Sequence, residues 1–249
     1  MLGPILFNIN SADLLPLFPT NHYFKYADDA YLIIPSTNTH TITAELAHHA
    51  SWAATCNLKL NPTKTTEMVV TRKGIKPPPS LPSISRVDSM KILGVHVDKY
   101  LKFNEHVSTT ITSCSQSLFA LRTIKNHGLP LPSVQAVFRA TLISKLLYAS
   151  PAWWGFTSTG IRDMIEGFLR RSRKLQYCDQ SSPDAAALVS RADTILFKSV
   201  TCNPAHILHQ LLPPTRNLSY NLRTRSHNFH LPRKDDRNFI NRMLFANIY

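Results

Sequence analysis

Two adjacent carboxylates, Asp28 and Asp29, stand between aromatic and apolar runs. Tyr23, Phe24 and Tyr26 precede them, and Tyr31, Leu32, Ile33 and Ile34 follow. Carboxylates are hard oxygen ligands, and a magnesium ion takes one or two of them together with substrate phosphates. Two-metal phosphoryl transfer holds its ions about 3.5–4 Å apart. Neighbouring residues of a strand point to opposite faces. An adjacent pair therefore cannot hold both ions, and a further carboxylate must come from another strand. The competing reading is an ordinary β-turn, since Asp favours turns.

A second group is basic. Arg162, Arg170, Arg171, Arg173 and Lys174 fall on one expected helix, with Arg170, Arg173 and Lys174 sharing a face at i, i+3, i+4. Such a face suits a phosphate backbone, with sequence-independent, salt-sensitive contacts. The alternative is a solvated surface. Cys202, His206 and His209 form a C-x₃-H-x₂-H pattern that raises zinc, but a fourth ligand at the usual spacing is missing. Two histidines on a short helix is the favoured reading. His48 and His49 read as surface residues. Trp52, Trp153 and Trp154 read as packing anchors rather than base-stacking platforms.

The elements that must position these groups come in two styles. Residues 2–18 read as an apolar turn or helix start followed by a helix over 8–17, and residues 22–34 as two strands around the carboxylate tip. Residues 41–57 carry Ile42, Leu46, Ala50 and Ala53 at helical spacing. A strand is expected over residues 67–71, with Met68, Val69 and Val70 buried. Pro77, Pro78, Pro79 and Ser80 make a stiff exposed link. Residues 90–98 read as a hairpin around Gly94. Helices follow over residues 104–126, stopped by Gly128 and Pro130, and over 133–148 with Ser133 as N-cap. Further helices are expected over 161–177, 184–199 and 204–212, and the stretch from Pro213 reads as a poorly packed basic tail. The fold class is α+β first, then α-helical.

Bulk properties narrow the partners. The 249 residues are 43% hydrophobic, enough for a core, and carry a net charge of +13. Residues 1–104 hold 10 basic and 7 acidic residues, and residues 105–249 hold 18 and 8. The basic excess of the second part is the footprint of a phosphate-rich partner, or simply of a basic protein. The four cysteines form no C-x-x-C pair, so a reduced intracellular protein is the default. No signal peptide and no membrane span is expected.

The motifs, taken together, carry a family resemblance. Tyr26-Ala27-Asp28-Asp29 resembles the Y-[AVM]-D-D signature of reverse transcriptases. Leu2-Gly3-Pro4-Ile5-Leu6-Phe7 resembles the end of the preceding motif, where Gln-Gly lies just before L-G-P. Asn61-Pro62-Thr63-Lys64-Thr65 resembles the following N-x-x-K-T element. Lys91-Ile92-Leu93-Gly94-Val95 resembles the primer-grip hairpin, and Leu147-Tyr148-Ala149 through Trp153-Trp154-Gly155 the L-Y-G…W-G stretch beyond. Tyr220, Asn221, Leu222 and Arg223, with Phe239 to Arg242, are similar to the ends of such reading frames. The order is that of non-LTR, LINE-type retrotransposon polymerases.

The resemblance implies a right-hand polymerase: partial palm over residues 1–76, linker and primer-grip hairpin over 77–104, helical thumb over 105–212 and basic tail over 213–249. It implies RNA-directed DNA polymerisation on an RNA template and a DNA primer, in the nucleus and cytoplasm, with Mg²⁺ as cofactor. Asp28 would bind both metals, Asp29 would be secondary, and Lys64 would protonate the leaving pyrophosphate. An exposed lysine after a turn is the alternative for Lys64. Leu93 and Gly94 would hold the primer end, and Arg170, Arg173 and Lys174 would follow the duplex backbone. The family's first catalytic Asp and its fingers precede the Gln-Gly motif, outside this chain, so residues 1–249 alone are expected not to polymerise. The alternatives are a non-catalytic nucleic-acid-binding remnant and a decayed transposon product.

Overall fold

Aromatic residues on both sides of the carboxylate pair form the expected hairpin, β1 (His22–Tyr26) and β2 (Asp29–Ile33). The strands are antiparallel, with Tyr23 opposite Leu32, Lys25 opposite Ala30 and Tyr26 opposite Asp29. This computed structural model describes residues 3–216 and 227–246. Leu2 of the Leu-Gly-Pro motif and Tyr220, Asn221, Leu222 and Arg223 of the tail motif lie outside the described residues.

The chain divides into two compact units, Met1–Thr66 with Leu81–Ser85, and Glu67–Ser80 with Arg86–Tyr249. The Gly94 hairpin shares a unit with the helices that follow it.

In the first unit, α1 (Gly3–Asn10) and α2 (Ile42–Thr55) flank the hairpin in sequence. Helix α1 comes earlier than the expected 8–17. The backbone groups beyond Asn10 are claimed elsewhere: Lys25 Nζ donates to the carbonyls of Ser11 and Leu14, and the Glu45 carboxylate accepts from the amides of Leu17 and Phe18. A continued helix would need those groups for itself, and Pro16 could not donate within it.

In the second unit, β3 (Ser89–Ile92) and β4 (Val95–Asp98) pair around Leu93-Gly94. Helix α3 (Asn104–Asn126) matches its expected span, and Gly128 follows with φ 95°. Helix α4 (Leu131–Phe138) begins before Ser133, with Pro130 at the cap and Pro132 in the first turn. Proline is pre-set for a first turn whose amides have no partner in the helix, so Ser133 is not the N-cap. A π-turn over Arg139–Ile143 leads into α5 (Ser144–Leu147). After α6 (Ser150–Trp153) come α7 (Thr159–Lys174) and α8 (Ala185–Cys202). Asp184 caps α8 by accepting from the Ala187 amide at 2.7 Å.

Three further expectations are corrected. Only Thr66–Glu67 is a strand within residues 67–71, and Val70 is 54% exposed. The helix expected over 204–212 reduces to a 3₁₀ turn at His209–Leu211. There, Asn203 Oδ1 accepts from the Ala205 amide and His206 Nδ1 from the Leu208 amide, local bonds that compete with a helix. The stretch expected to pack poorly ends in α9 (Phe239–Ala246), whose Ile240, Met243 and Leu244 are buried with Phe197 and Val200. Their i, i+3, i+4 spacing gives α9 one apolar face.

The main core of the second unit joins Val95 and Val97 of β4, Val107 and Cys114 of α3, Phe138, Trp153 and Trp154, and Ile165 and Phe168 of α7. Among the described residues no helix is long and apolar enough to cross a membrane.

Candidate active site

The carboxylates occupy different places on their hairpin. Tyr26 pairs with Asp29, so Ala27 and Asp28 form the two-residue turn and Asp29 opens β2. Ala27 takes φ 49°, a left-handed conformation that non-glycine residues adopt at a cost. Such strain concentrates at sites where geometry matters more than stability. Both carboxylates face solvent. Asp29 Oδ2 accepts a long hydrogen bond of 3.4 Å from the Tyr31 hydroxyl, and among the described residues nothing donates to Asp28.

The base of this hairpin is held by buried polar groups that the sequence reading missed. Glu45, on α2, is fully buried and accepts from the Leu17 and Phe18 amides at 3.1 Å and from Asn21 Nδ2 at 2.8 Å. Asn21 Nδ2 also reaches Thr41 Oγ1 at 3.0 Å. Burial alone would raise the Glu45 carboxyl. The hydrogen bonds from Asn21, Leu17 and Phe18, with the charge of His48, outweigh it and hold the group below its ordinary range. Lys25 lies next to the tip motif and clamps the carbonyls of Ser11 and Leu14. Burial lowers its ammonium, against the pull of Asp13. Burial, then Glu45, push the Tyr23 phenol up to about 12. One signal could have found Glu45: it sits one turn from Ile42 and beside Leu46, on the side of α2 expected to be apolar.

Lys64 is exposed in the turn after Asn61. Asn61 Oδ1 accepts from the Thr63 amide at 3.1 Å, and the Lys64 amide reaches the Asn61 carbonyl at 3.2 Å. The Lys64 ammonium has no partner among the described residues. Asp13 accepts from Trp52 Nε1 at 3.0 Å, so it acts as a brace to a half-buried tryptophan. Among the described residues no group of three or more His, Cys, Asp or Glu gathers as a metal site. Cys202, His206 and His209 are no exception. Cys202 is exposed, His206 bonds its own loop, and His209 Nδ1 lies 2.8 Å from the Val200 carbonyl.

In the second unit, Leu93 and Gly94 have φ 45° and 88°. Two consecutive left-handed residues make the turn whose twist matches a hairpin. The Tyr148 hydroxyl donates to the Leu93 carbonyl at 2.8 Å. The basic helix α7 turns Ile165, Phe168 and Leu169 inward and leaves Arg170, Arg171 and Lys174 exposed. Leu175, just past the end of α7, is 52% exposed. Arg173 is spent differently. Its Nη2 meets Glu166 Oε1 at 2.5 Å, while Glu166 Oε2 accepts from the Ala185 amide at 2.9 Å, linking α7 to the start of α8. Arg162 lies over the Trp154 ring at 4.8 Å and donates to the Trp154 carbonyl. Trp153 and Trp154 are buried, as packing anchors should be.

Compared with known proteins, residues 1–97 match the family model described as reverse transcriptase (RNA-dependent DNA polymerase). A Drosophila melanogaster protein described as "Probable RNA-directed DNA polymerase from transposon BS" is 28% identical over 172 residues, covering 61% of this chain. The chain spans only 19% of that relative's length. No solved structure matches.

Proposed function

We propose that the chain, whose residues 1–97 match the reverse transcriptase family model, is part of a non-LTR retrotransposon RNA-directed DNA polymerase. In this reading the first unit is the remainder of a palm, and the helices of the second unit form a thumb. The observation that carries it is the hairpin tip: two exposed carboxylates on a strained turn above a buried polar base.

The tip suits a divalent cation in part. Asp28 and Asp29 supply the one or two carboxylates that magnesium takes from protein, and substrate phosphates supply other ligands. Such ions provide charge stabilisation for nucleotidyl transfer. The further carboxylate that a two-metal site needs is not gathered at the tip among the described residues. On this reading Asp28 and Asp29 make only part of a two-metal site, and residues 1–249 do not polymerise unless a further carboxylate ligand is supplied. Lys64, exposed and unpaired, is the candidate proton donor. Template and primer are RNA and DNA, held by the Leu93-Gly94 turn and by α7. The exposed Arg170, Arg171 and Lys174 favour a second reading, a nucleic-acid-binding remnant without catalysis, and Arg173 supports α7 from within.

The test compares residues 1–249 with Asp28→Asn for Mn²⁺ binding, primer extension and primer–template affinity across salt. Loss of metal binding with duplex affinity retained is the expected result. Template-dependent extension by the unaltered chain would overturn its proposed inactivity. Duplex affinity that stays flat as salt rises would remove the phosphate-backbone role.

A further inference from the structure

Two motifs 55 positions apart are joined by one hydrogen bond, from the Tyr148 hydroxyl to the Leu93 carbonyl. The ring takes part as well. A Cβ added at Gly94 would lie 3.3 Å from Tyr148 Cε1, so the ring lies against the face of Gly94 that lacks a side chain. The turn it touches is a common hairpin turn with an uncommon residue in it. Leu93 carries a branched side chain at φ 45°, a conformation that persists only where the surroundings impose it.

Tyr148 is itself fixed from behind. Trp153, 2% exposed, donates its Nε1 to the Tyr148 carbonyl at 2.9 Å. Ala149 turns left-handed immediately afterwards, at φ 52°, and α6 begins. A buried indole thus anchors the Tyr148 backbone, and the phenol reaches outward to the turn. The Tyr148 side chain remains 53% exposed, so core filling does not explain a tyrosine here. Its hydroxyl serves one carbonyl at the hairpin tip.

We propose that Tyr148 is a positioning residue that sets the Leu93-Gly94 turn and, through it, the presentation of the hairpin to a primer 3′ end. The second half of this statement rests on the proposed reading of the hairpin as the primer-holding element. Tyr148 touches the turn and not the reacting atoms, so it acts through Leu93 and Gly94.

The experiment uses residues 1–249 and Tyr148→Phe, which removes only the hydroxyl, with Tyr148→Ala as a second variant that also removes the ring. Amide hydrogen exchange over residues 89–98 is measured alongside affinity for two DNA probes of equal charge, one blunt and one with a recessed primer end. Tyr148→Phe should speed exchange of the paired strand amides that flank the turn, over Ser89–Ile92 and Val95–Asp98, by roughly fivefold, the worth of one hydrogen bond, and Tyr148→Ala by more. Preference for the recessed end should fall several-fold while blunt-duplex affinity holds. Unchanged exchange in both variants overturns the positioning role, whatever the nucleic acid does. Faster exchange with an unaltered end preference overturns the functional half. Faster exchange in a protein that never preferred the recessed end removes the primer-holding reading while leaving the turn contact intact.

Discussion

Around α2 the side chains taken out of water are mostly polar: Ser11, Asn21, Thr41 and Glu45, with Leu14 and Ala53 as the apolar members. Around α3 and α7 they are Val107, Cys114, Phe138, Leu142, Trp153, Ile165 and Phe168. The first unit also exposes Ile5, Leu6, Ile9, Leu15, Leu17, Phe24, Tyr26 and Ile33. Its order therefore comes from directed hydrogen bonds to a buried carboxylate and a clamped lysine. The second unit is stabilised by apolar burial, at about 25 cal/mol per Å². A hydrogen-bonded interior is specific but vulnerable, because one lost partner strands several groups. The carboxylate tip thus stands on the unit with the smaller apolar interior.

The largest effect that would sharpen this contrast is expected in the second unit. Phe168→Ala should cost about 3–5 kcal/mol, as for other fully buried aromatics, read by chemical denaturation of the helical signal. A loss under about 1 kcal/mol would mean that this core is not what holds the helices.

Next comes Glu45→Gln, which keeps the shape of the side chain but removes the charge that Leu17, Phe18 and Asn21 share. The expected loss is about 2 kcal/mol, from hydrogen bonds to a charged acceptor. It should appear as weaker exchange protection over residues 17–33 with the second unit unaffected. The pH dependence has a definite sign. Hydrogen bonding holds the folded carboxyl below its unfolded value, so the unfolded chain takes up the proton first. The contribution is complete above the unfolded value of about 4.3 and is lost as pH falls through the folded one. Glu45→Gln should abolish that acid-dependent loss. Equal acid sensitivity in the variant would show that the carboxylate is not the element that matters.

The smallest change is Ala149→Gly, at a position where the resembled motif carries glycine. Ala149 is left-handed. Glycine relieves about 1–2 kcal/mol of conformational strain but costs about 0.4–1 kcal/mol through a freer unfolded chain. A net gain of about 0–1.6 kcal/mol in the second unit is expected, and thermal unfolding would detect a loss instead. Such a loss would mean that α6 depends on the alanine methyl.

Much of the local structure was legible in advance for a common reason. The hairpin at Asp28, the hairpin at Gly94, α2 and α3 each follow from signals within a few residues: alternation, a turn dipeptide, helical spacing, a glycine stop. The resemblance to the reverse transcriptase family was legible likewise, because motif residues keep their order along the chain, and residues 1–97 match that family's model. The N-terminus of α4 was misplaced because two prolines outweighed a serine cap. Helix α1 was misplaced because its continuation lost its backbone groups to Lys25 and Glu45, partners set by folding.

What the sequence alone determined about this protein is therefore the inventory: which short segments become strands or helices, and which acids and bases could bind metal or phosphate. Only the tertiary structure decided how each charged group is used. Glu45 and Lys25 became internal braces, Arg173 an ion pair to Glu166, Arg170 and Lys174 an open surface, and Tyr148 the partner of Leu93. The physical reason is range. Propensity and periodicity act over a few residues, whereas a hydrogen bond or an ion pair depends on which distant groups the folded backbone brings within about 3 Å.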